Sequence, residues 1–236
     1  MGVDGEWEPD AENWLRWART PGFDAYWYFR DAFFDFIVPA AGRRTLEIGC
    51  GEGRVSRDLA VRGHSVVAVD TARTLVRRAM EEDHASAYAV AEGAALPFPD
   101  GSFDVVVAYN ALQVVSDMAG TVREAGRLLG RGGYLCACVA HPMTDLGRFT
   151  SDGPDAGYAI RDGYFETLRV EETVHRDGHT MTFRGWTYSL EHYALALEGA
   201  GFRIETMREP RPADGSEKYA PWRGLPMFLN FRAVKS

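Results

Sequence analysis

The chain of 236 residues is long enough for one α/β domain with a sizeable core, and its 46% hydrophobic and 25% charged residues are ordinary globular composition. Its net charge of −8 argues against a nucleic acid partner, because an acidic surface does not attract phosphate backbones. No apolar run approaches a membrane span and the acidic first residues lack a signal-peptide core, so we expect a protein of the reducing cytoplasm without membrane partners.

The first predicted elements are two helices over residues 10–37, a stretch unusually rich in aromatic side chains. A break at Thr20-Pro21-Gly22 separates the two helices, and Pro39 ends the second one.

A regular alternation of strands and helices follows. The predicted strands cover residues 43–48, 65–69, 86–91, 103–109 and 134–139, and the predicted helices cover 54–62, 72–84 and 118–129. The strands are near-continuous apolar runs, which is typical of a parallel sheet with helices on both faces.

The alternation breaks over residues 143–188, which are polar and glycine-rich. An Asp177-Gly178 turn between two alternating segments predicts a β-hairpin insertion there. A helix near 189–199 and strands at 202–207 and 227–234 complete the pattern. The expected fold class is therefore α/β: a doubly wound, mostly parallel, seven-stranded sheet.

The segment that carries most information about function is Leu46-Glu47-Ile48-Gly49-Cys50-Gly51-Glu52-Gly53. Its glycines permit a sharp turn and the close approach of a ligand, and the helix that follows offers free N–H groups and the positive end of its dipole. Asp70 ends the next strand, 19 positions after Gly51. A carboxylate at that position is able to accept hydrogen bonds from ribose hydroxyls.

Two kinds of cofactor suit this layout. An NAD-dependent oxidoreductase uses the same elements, but its fingerprint has the spacing G-x-G-x-x-G and this loop has G-x-G-x-G. Glu47 and Glu52 would repel a pyrophosphate, whereas carboxylates favour the ammonium and sulfonium of S-adenosylmethionine (SAM). These charges favour SAM, and the nicotinamide cofactor is the alternative.

Residues 46–53 resemble motif I of the class I SAM-dependent methyltransferases, and three further segments resemble family motifs in the same order. They are Val66 to Asp70, Ala91 to Asp104 and Leu128 to Gly133, where Arg131 replaces the usual proline. The match spans roughly residues 43–140 and is most similar to the small-molecule branch, which includes ubiquinone-type, menaquinone-type and natural-product enzymes. The resemblance implies a Rossmann-like fold, SAM as cofactor and S-adenosylhomocysteine (SAH) as product.

The resemblance also implies which residues bind the cofactor. They are Glu47, Gly49, Gly51, Asp70, Thr71, Glu92, Gly93, Tyr109 and Asn110. Glu47, Gly49 and Gly51 would meet the methionine moiety, and Asp70 would hold the ribose diol. Glu92, one methylene longer than the family's usual aspartate, would face the adenine amino group. Tyr109 and Asn110 would lie under the methionine chain.

Three residues are candidates for catalysis. His141 follows the fifth strand at its carboxyl end, the edge where ligands bind in open α/β sheets, and is our candidate general base. Its alternative role is to fix the His141-Pro142 turn. Asp24 and Tyr28 share a helix face and are able to pair over the acceptor, although Asp24 also suits a helix N-cap. A base assists a phenol, hydroxyl or acidic carbon, whereas an amine needs none. We find no metal-ligand pattern.

These predictions divide the chain into an aromatic helical lid (1–40), a SAM-binding core (41–142), an insertion that contributes to the acceptor pocket (143–188) and a completion of the sheet (189–236). The aromatic lid favours a flat acceptor, such as an aromatic or indole-like metabolite of secondary metabolism, methylated by in-line displacement. A non-catalytic SAM-binding regulatory module is the alternative from another class. We expect a small-molecule partner and a monomer or homodimer.

Overall fold

The chain is described from a computed structural model that covers residues 6–151, 156–160, 163–213 and 217–236. Short parts of the predicted lid, insertion and final loop therefore lie outside the described residues.

The central sheet contains seven strands, as the sequence predicts. They are β1 (Arg44–Ile48), β2 (Ser65–Asp70), β3 (Ala87–Val90), β4 (Phe103–Tyr109), β5 (Leu129–Ala140), β10 (Phe202–Arg208) and β11 (Phe228–Lys235). Their order is β10-β11-β5-β4-β1-β2-β3, and β11 runs antiparallel to the other six strands, which are parallel to one another. The order of the strands reverses between β1 and β4, so the carboxyl ends of these two strands flank the crevice where doubly wound sheets bind ligands.

Helices cover both faces of the sheet. They include α2 (Tyr26–Phe36), α3 (Arg54–Val61), α4 (Arg73–Glu82), α5 (Met118–Leu128) and α7 (Leu190–Gly199). Successive side chains of β4 point to opposite faces, and Val105, Val106 and Val107 are all fully buried. Val106 packs in the cluster with α5 and α7, whereas Val105 and Val107 pack in the cluster with α2 and α3. The predicted double layering is confirmed.

The residues predicted as a helical lid divide into two parts with different positions. Helix α1 (Ala11–Arg19) lies over the carboxyl edge of the sheet, but α2 packs flat against the sheet. Tyr26, Phe29 and Phe33 are spaced three and four residues apart, so they form one buried stripe on α2. The ring of Phe33 lies 5.0 Å from that of Tyr109, between ring centres. Helix α2 therefore belongs to the core.

The insertion contains the predicted hairpin, formed by β8 (Arg169–Arg176) and β9 (His179–Trp186). Asp177 and Gly178 turn the chain with φ values of 48° and 78°, the left-handed geometry that two-residue hairpin turns require. The insertion also contains helix α6 (Pro142–Asp145) and the short strands β6 (Gly147–Phe149) and β7 (Tyr158–Ile160). The sequence does not predict these strands, because three residues show no alternation.

Helix α1 and the hairpin β8–β9 pack together, and we call them the cap. Trp17 of α1 meets Phe183 of the hairpin with ring centres 5.6 Å apart, and Arg184 forms an ion pair with Asp10 at the start of α1. The residues just before α1 contact α4, where the hydroxyl of Thr74 donates to the carboxylate of Glu8 at 2.6 Å. These contacts fix the cap above the end of the sheet.

The longest described helices, α2 and α5, have 11 residues each, and none in the described part of the chain has the length and apolarity of a membrane span.

Candidate active site

A cavity of about 710 Å³ lies between the carboxyl ends of β1, β2 and β4 and the cap. The nine residues that the resemblance assigns to the cofactor all line this cavity. The cavity is also lined by a set of aromatic rings that we call the aromatic wall. The aromatic wall consists of Phe23, Phe183, Tyr219, Trp222 and Phe228.

The loop between β1 and α3 needs glycine for reasons that the structure makes visible. Gly49 has a φ of 74°, and a Cβ there would lie 2.8 Å from the Cβ of Ala111. Gly51 has a φ of 53°, and its Cβ would lie 3.2 Å from Nε1 of Trp14 in the cap. A side chain at either position would fill the narrow space between the loop and its neighbours, so the bare backbone forms the floor of the cavity.

Asp70, at the end of β2, is held by backbone donors. Its Oδ2 accepts from the N–H of Gly51 at 2.9 Å, and its Oδ1 accepts from the N–H of Ala72 at 2.9 Å. Burial raises the pKa of the carboxyl, and the N–H groups of Ala72, Gly51 and Thr71 act in the opposite direction. Because a carboxylate offers about four acceptor sites, Asp70 is also able to bind hydroxyls of a ligand in the cavity.

The floor of the cavity is acidic. Glu47 is buried at the end of β1 and accepts a hydrogen bond from the hydroxyl of Ser56. Burial, and next to it the charges of Asp70 and Glu52, raise the pKa of Glu47 to about 8. A cation beside these carboxylates relieves their repulsion, whereas a pyrophosphate would add to it. The acidic floor therefore favours the ammonium and sulfonium of SAM over the pyrophosphate of a dinucleotide.

The remaining predicted cofactor residues lie at the carboxyl ends of three strands: Thr71 after β2, Glu92 and Gly93 after β3, and Tyr109 and Asn110 at the end of β4. Gly93 also allows a close approach of α5, because a Cβ there would lie 3.0 Å from the hydroxyl oxygen of Thr121. Asn110 follows β4 with a φ of 52°, and its N–H donates to the carbonyl of Cys138 at 2.8 Å. Tyr109 is buried against α2, with its ring centre 5.3 Å from that of Tyr26.

Of the three residues predicted for catalysis, Asp24 lies on the cavity wall. Its Oδ1 accepts from the N–H of Tyr26 at 2.7 Å and pairs with the buried guanidinium of Arg54 at 3.1 Å. The ring of Tyr28, four residues on, packs against Tyr219 with ring centres 5.0 Å apart, behind the aromatic wall. Asp24 therefore faces the cavity, but it lies two residues before α2, whose N-cap is Ala25. The predicted N-cap role of Asp24 and the predicted helix face shared with Tyr28 are both wrong, and a catalytic role for either residue stays an untested prediction.

The structure does not bring His141 to the cavity. Its Nδ1 accepts from the N–H of Met143 at 3.2 Å, where His141 is the N-cap of α6, and its Nε2 lies 2.9 Å from Oε1 of Glu209. This is the turn-fixing role that the sequence leaves open as the alternative. A catalytic role for His141 stays an untested prediction.

Several residues of the cavity are not predicted from the sequence. Lys218, Tyr219 and Trp222 come from a 3₁₀ helix (Glu217–Arg223) that the sequence predicts as a loop. The signal that points to them is the presence of large aromatic side chains in an otherwise polar, proline-rich segment.

Comparisons with known proteins agree with this site. A family model described as a methyltransferase domain matches residues 46–137. The demethylmenaquinone methyltransferase of Tropheryma whipplei (strain Twist) is 32% identical over 189 residues, which cover 76% of this chain and 74% of that protein. The chain belongs to the class I SAM-dependent methyltransferases.

Further relatives extend the comparison. A ubiquinone biosynthesis O-methyltransferase of Ralstonia nicotianae is 35% identical to this methyltransferase over 110 residues, which cover 44% of this chain and 46% of that protein. The crystal structure of a SAM-dependent methyltransferase from Mesorhizobium loti superimposes with a TM-score of 0.69 at 25% identity, covering 90% of this chain and 98% of that one. The enzyme is thus a SAM-dependent methyltransferase with the fold of its family.

The pKa of Glu47 leads to a testable prediction about cofactor binding. At pH 7 the carboxyl of the free enzyme is mostly protonated, and the ammonium of SAH beside it would favour the ionised form. We expect SAH binding at pH 7 to release about one proton per site. Calorimetry in buffers of different ionisation enthalpy measures this number. Glu47→Gln should bind SAH without the release; an equal release from this variant would place the proton elsewhere.

Proposed function

We propose that this methyltransferase alkylates a small, flat, aromatic metabolite, of the kind found in secondary metabolism and including indole-like rings. The observation that carries the proposal is that the aromatic wall lines the same cavity as Asp70 and the glycine loop. Aromatic faces stack on a flat ring and also favour a sulfonium nearby. The acidic surface supports a small molecule rather than nucleic acid as the acceptor.

The relatives give this proposal a second support. Two of them are a demethylmenaquinone methyltransferase and an O-methyltransferase of ubiquinone biosynthesis. An acceptor related to quinones is consistent with the aromatic wall here. The proposed enzyme is a monomer or a homodimer.

SAM supplies a methyl group that is already activated by the positive sulfur, so the protein mainly has to align the reactants and exclude water. The glycine loop and Asp70 hold one side of the cavity, and the cap covers it. The aromatic wall would orient the acceptor, and Asp24, fixed by Arg54, would contact a polar group on it.

A two-stage experiment tests the proposal. Calorimetry first establishes that the enzyme binds SAH. A panel of phenols, aromatic amines, indoles and size-matched aliphatic compounds is then screened for SAH formation from SAM. We expect turnover with aromatic members and a raised KM, at unchanged SAH affinity, in Trp222→Leu. Trp186→Leu, in the hairpin but outside the lining, is the matched control. Turnover of aliphatic compounds alone, or of none, would contradict the proposed acceptor class.

A further inference from the structure

The distribution of basic residues singles out one side chain of the cavity. Only two of the 26 basic residues are lysines, Lys218 and Lys235, and the rest are arginines. Lys218 lines the cavity, and Lys235 lies in β11. Arginine stays protonated in proteins, whereas a lysine in a confined site is able to lose its proton. Lys218 is therefore a basic residue of this cavity that can act as a base.

The amine of Lys218 is fixed by hydrogen bonds to backbone carbonyls that are distant in sequence. Its Nζ donates to the carbonyl of Phe23 at 2.8 Å and to that of Gly22 at 3.2 Å, and it lies 5.0 Å from the ring centre of Tyr219. A neutral amine has two N–H groups and one lone pair. Two carbonyl acceptors therefore fix the nitrogen with one tetrahedral position left for a further partner. In the protonated amine the same position carries the third N–H.

The charges around Lys218 favour the loss of its proton near neutral pH. Burial lowers its pKa to about 8, and the nearby guanidinium of Arg176 acts in the same direction, while Asp24 opposes it. Arg176 is itself fixed, because it donates to the carbonyl of Gly22 at 3.1 Å. Both forms of the amine are thus populated under ordinary conditions, as a general base requires.

We propose that Lys218 receives the hydroxyl of a phenolic acceptor and takes its proton during methyl transfer. The inference rests on the proposed aromatic acceptor and narrows it to the phenols, since an aromatic amine attacks through a free lone pair and has no need of a base. The phenolic oxygen bonds to the methyl carbon, the carbon–sulfur bond of SAM breaks with its electron pair on sulfur, and Lys218 keeps the phenolic proton. The products are an aryl methyl ether and SAH.

A pair of probes that differ in the hydroxyl tests this inference by binding. The SAH-loaded enzyme is titrated with 1-naphthol and with 1-methoxynaphthalene, and binding is followed by tryptophan fluorescence. We expect 1-naphthol to bind about tenfold more tightly than the ether, the size of one charge-assisted hydrogen bond. Lys218→Met should abolish the preference without changing the affinity for SAH. Lys235→Met is the matched control, because the Nζ of Lys235 also donates to a carbonyl, that of Ala200, and lies near a ring, that of Phe202. Lys235 does not line the cavity, so this variant should retain the preference for 1-naphthol.

Two results would overturn the role of Lys218: equal binding of the two probes by the wild-type enzyme, or a preference for 1-naphthol that persists in Lys218→Met. Neither result would contradict the proposed aromatic acceptor. If the enzyme binds SAH but binds neither 1-naphthol nor 1-methoxynaphthalene, the proposed acceptor class is wrong, and so is the proposed role of Lys218. Lys218→Arg gives a kinetic readout. It should keep the affinity for 1-naphthol but lower kcat for its methylation, since arginine supplies the charge and cannot take the proton.

Discussion

Replacing Asp70 with alanine is expected to weaken SAH binding about a hundredfold, because it removes the charged acceptor to which two ribose hydroxyls would donate hydrogen bonds. The variant also loses the bonds that orient the glycine loop, because the N–H groups of Gly51 and Ala72 both donate to this carboxylate. Asp70→Asn keeps one acceptor oxygen and should lie between the two. Calorimetric titration with SAH measures all three proteins.

Asp104→Ala is the matched control for Asp70→Ala. Asp104 belongs to β4 at the opposite edge of the sheet, where its Oδ1 pairs with the guanidinium of Arg44 at 3.0 Å. Asp104 also accepts from the backbone N–H of Arg44 at 2.9 Å, so its loss should cost about 1 to 2 kcal/mol of stability and leave SAH affinity unchanged. An Asp70→Ala enzyme that is folded and binds SAH within about threefold of the wild type would exclude the assigned role of Asp70.

Gly49→Ala is expected to lower the free energy of unfolding by about 3 kcal/mol, from left-handed backbone strain together with overpacking. The φ of 74° disfavours any Cβ, and the clash partner, the Cβ of Ala111, sits on backbone and cannot rotate away. Urea unfolding measures the loss. The folded fraction should also bind SAH poorly, because the displaced loop forms the floor of the cavity.

Gly132→Ala separates the effect of backbone strain from that of overpacking. Gly132 has a φ of 76°, and an added Cβ would meet nothing within 4 Å, so it tests backbone strain alone. We expect a loss of about 1 to 2 kcal/mol and normal SAH binding. If both variants lose the same stability, contact with Ala111 is not what keeps position 49 a glycine.

The core of the fold follows from local sequence patterns. The strand at residues 103–109 is predicted with the same bounds that the structure gives to β4, since a short apolar run rich in valine is typical of a strand buried on both faces. The position of α2 is not predictable in this way. Its aromatic stripe specifies a buried face, but the same stripe would suit a lid, and the sheet to which it docks is assembled from later parts of the chain.

The contact between the glycine loop and Asp70 is predictable from their spacing along the chain. Parallel strands bring their carboxyl ends to one edge, so the loop after β1 and Asp70 after β2 must meet. The acceptor side depends on distant pairs, such as the bond of Lys218 to Gly22 across 196 positions, for which the sequence has no local signal. Similarly, the place of His141 after a strand is readable, but the direction of its ring and its partner Glu209 are not.

The two sides of the cavity are made from different parts of the molecule, and this separation bears on how the enzyme diverges. The glycine loop and Asp70 belong to the sheet, whereas the aromatic wall comes largely from the segment between α1 and α2, the hairpin and the 3₁₀ helix. Substitutions in those peripheral segments reshape the acceptor space while the packing between strands stays intact. Such a scaffold is able to acquire a new substrate by small steps, each of which preserves a stable, cofactor-competent protein.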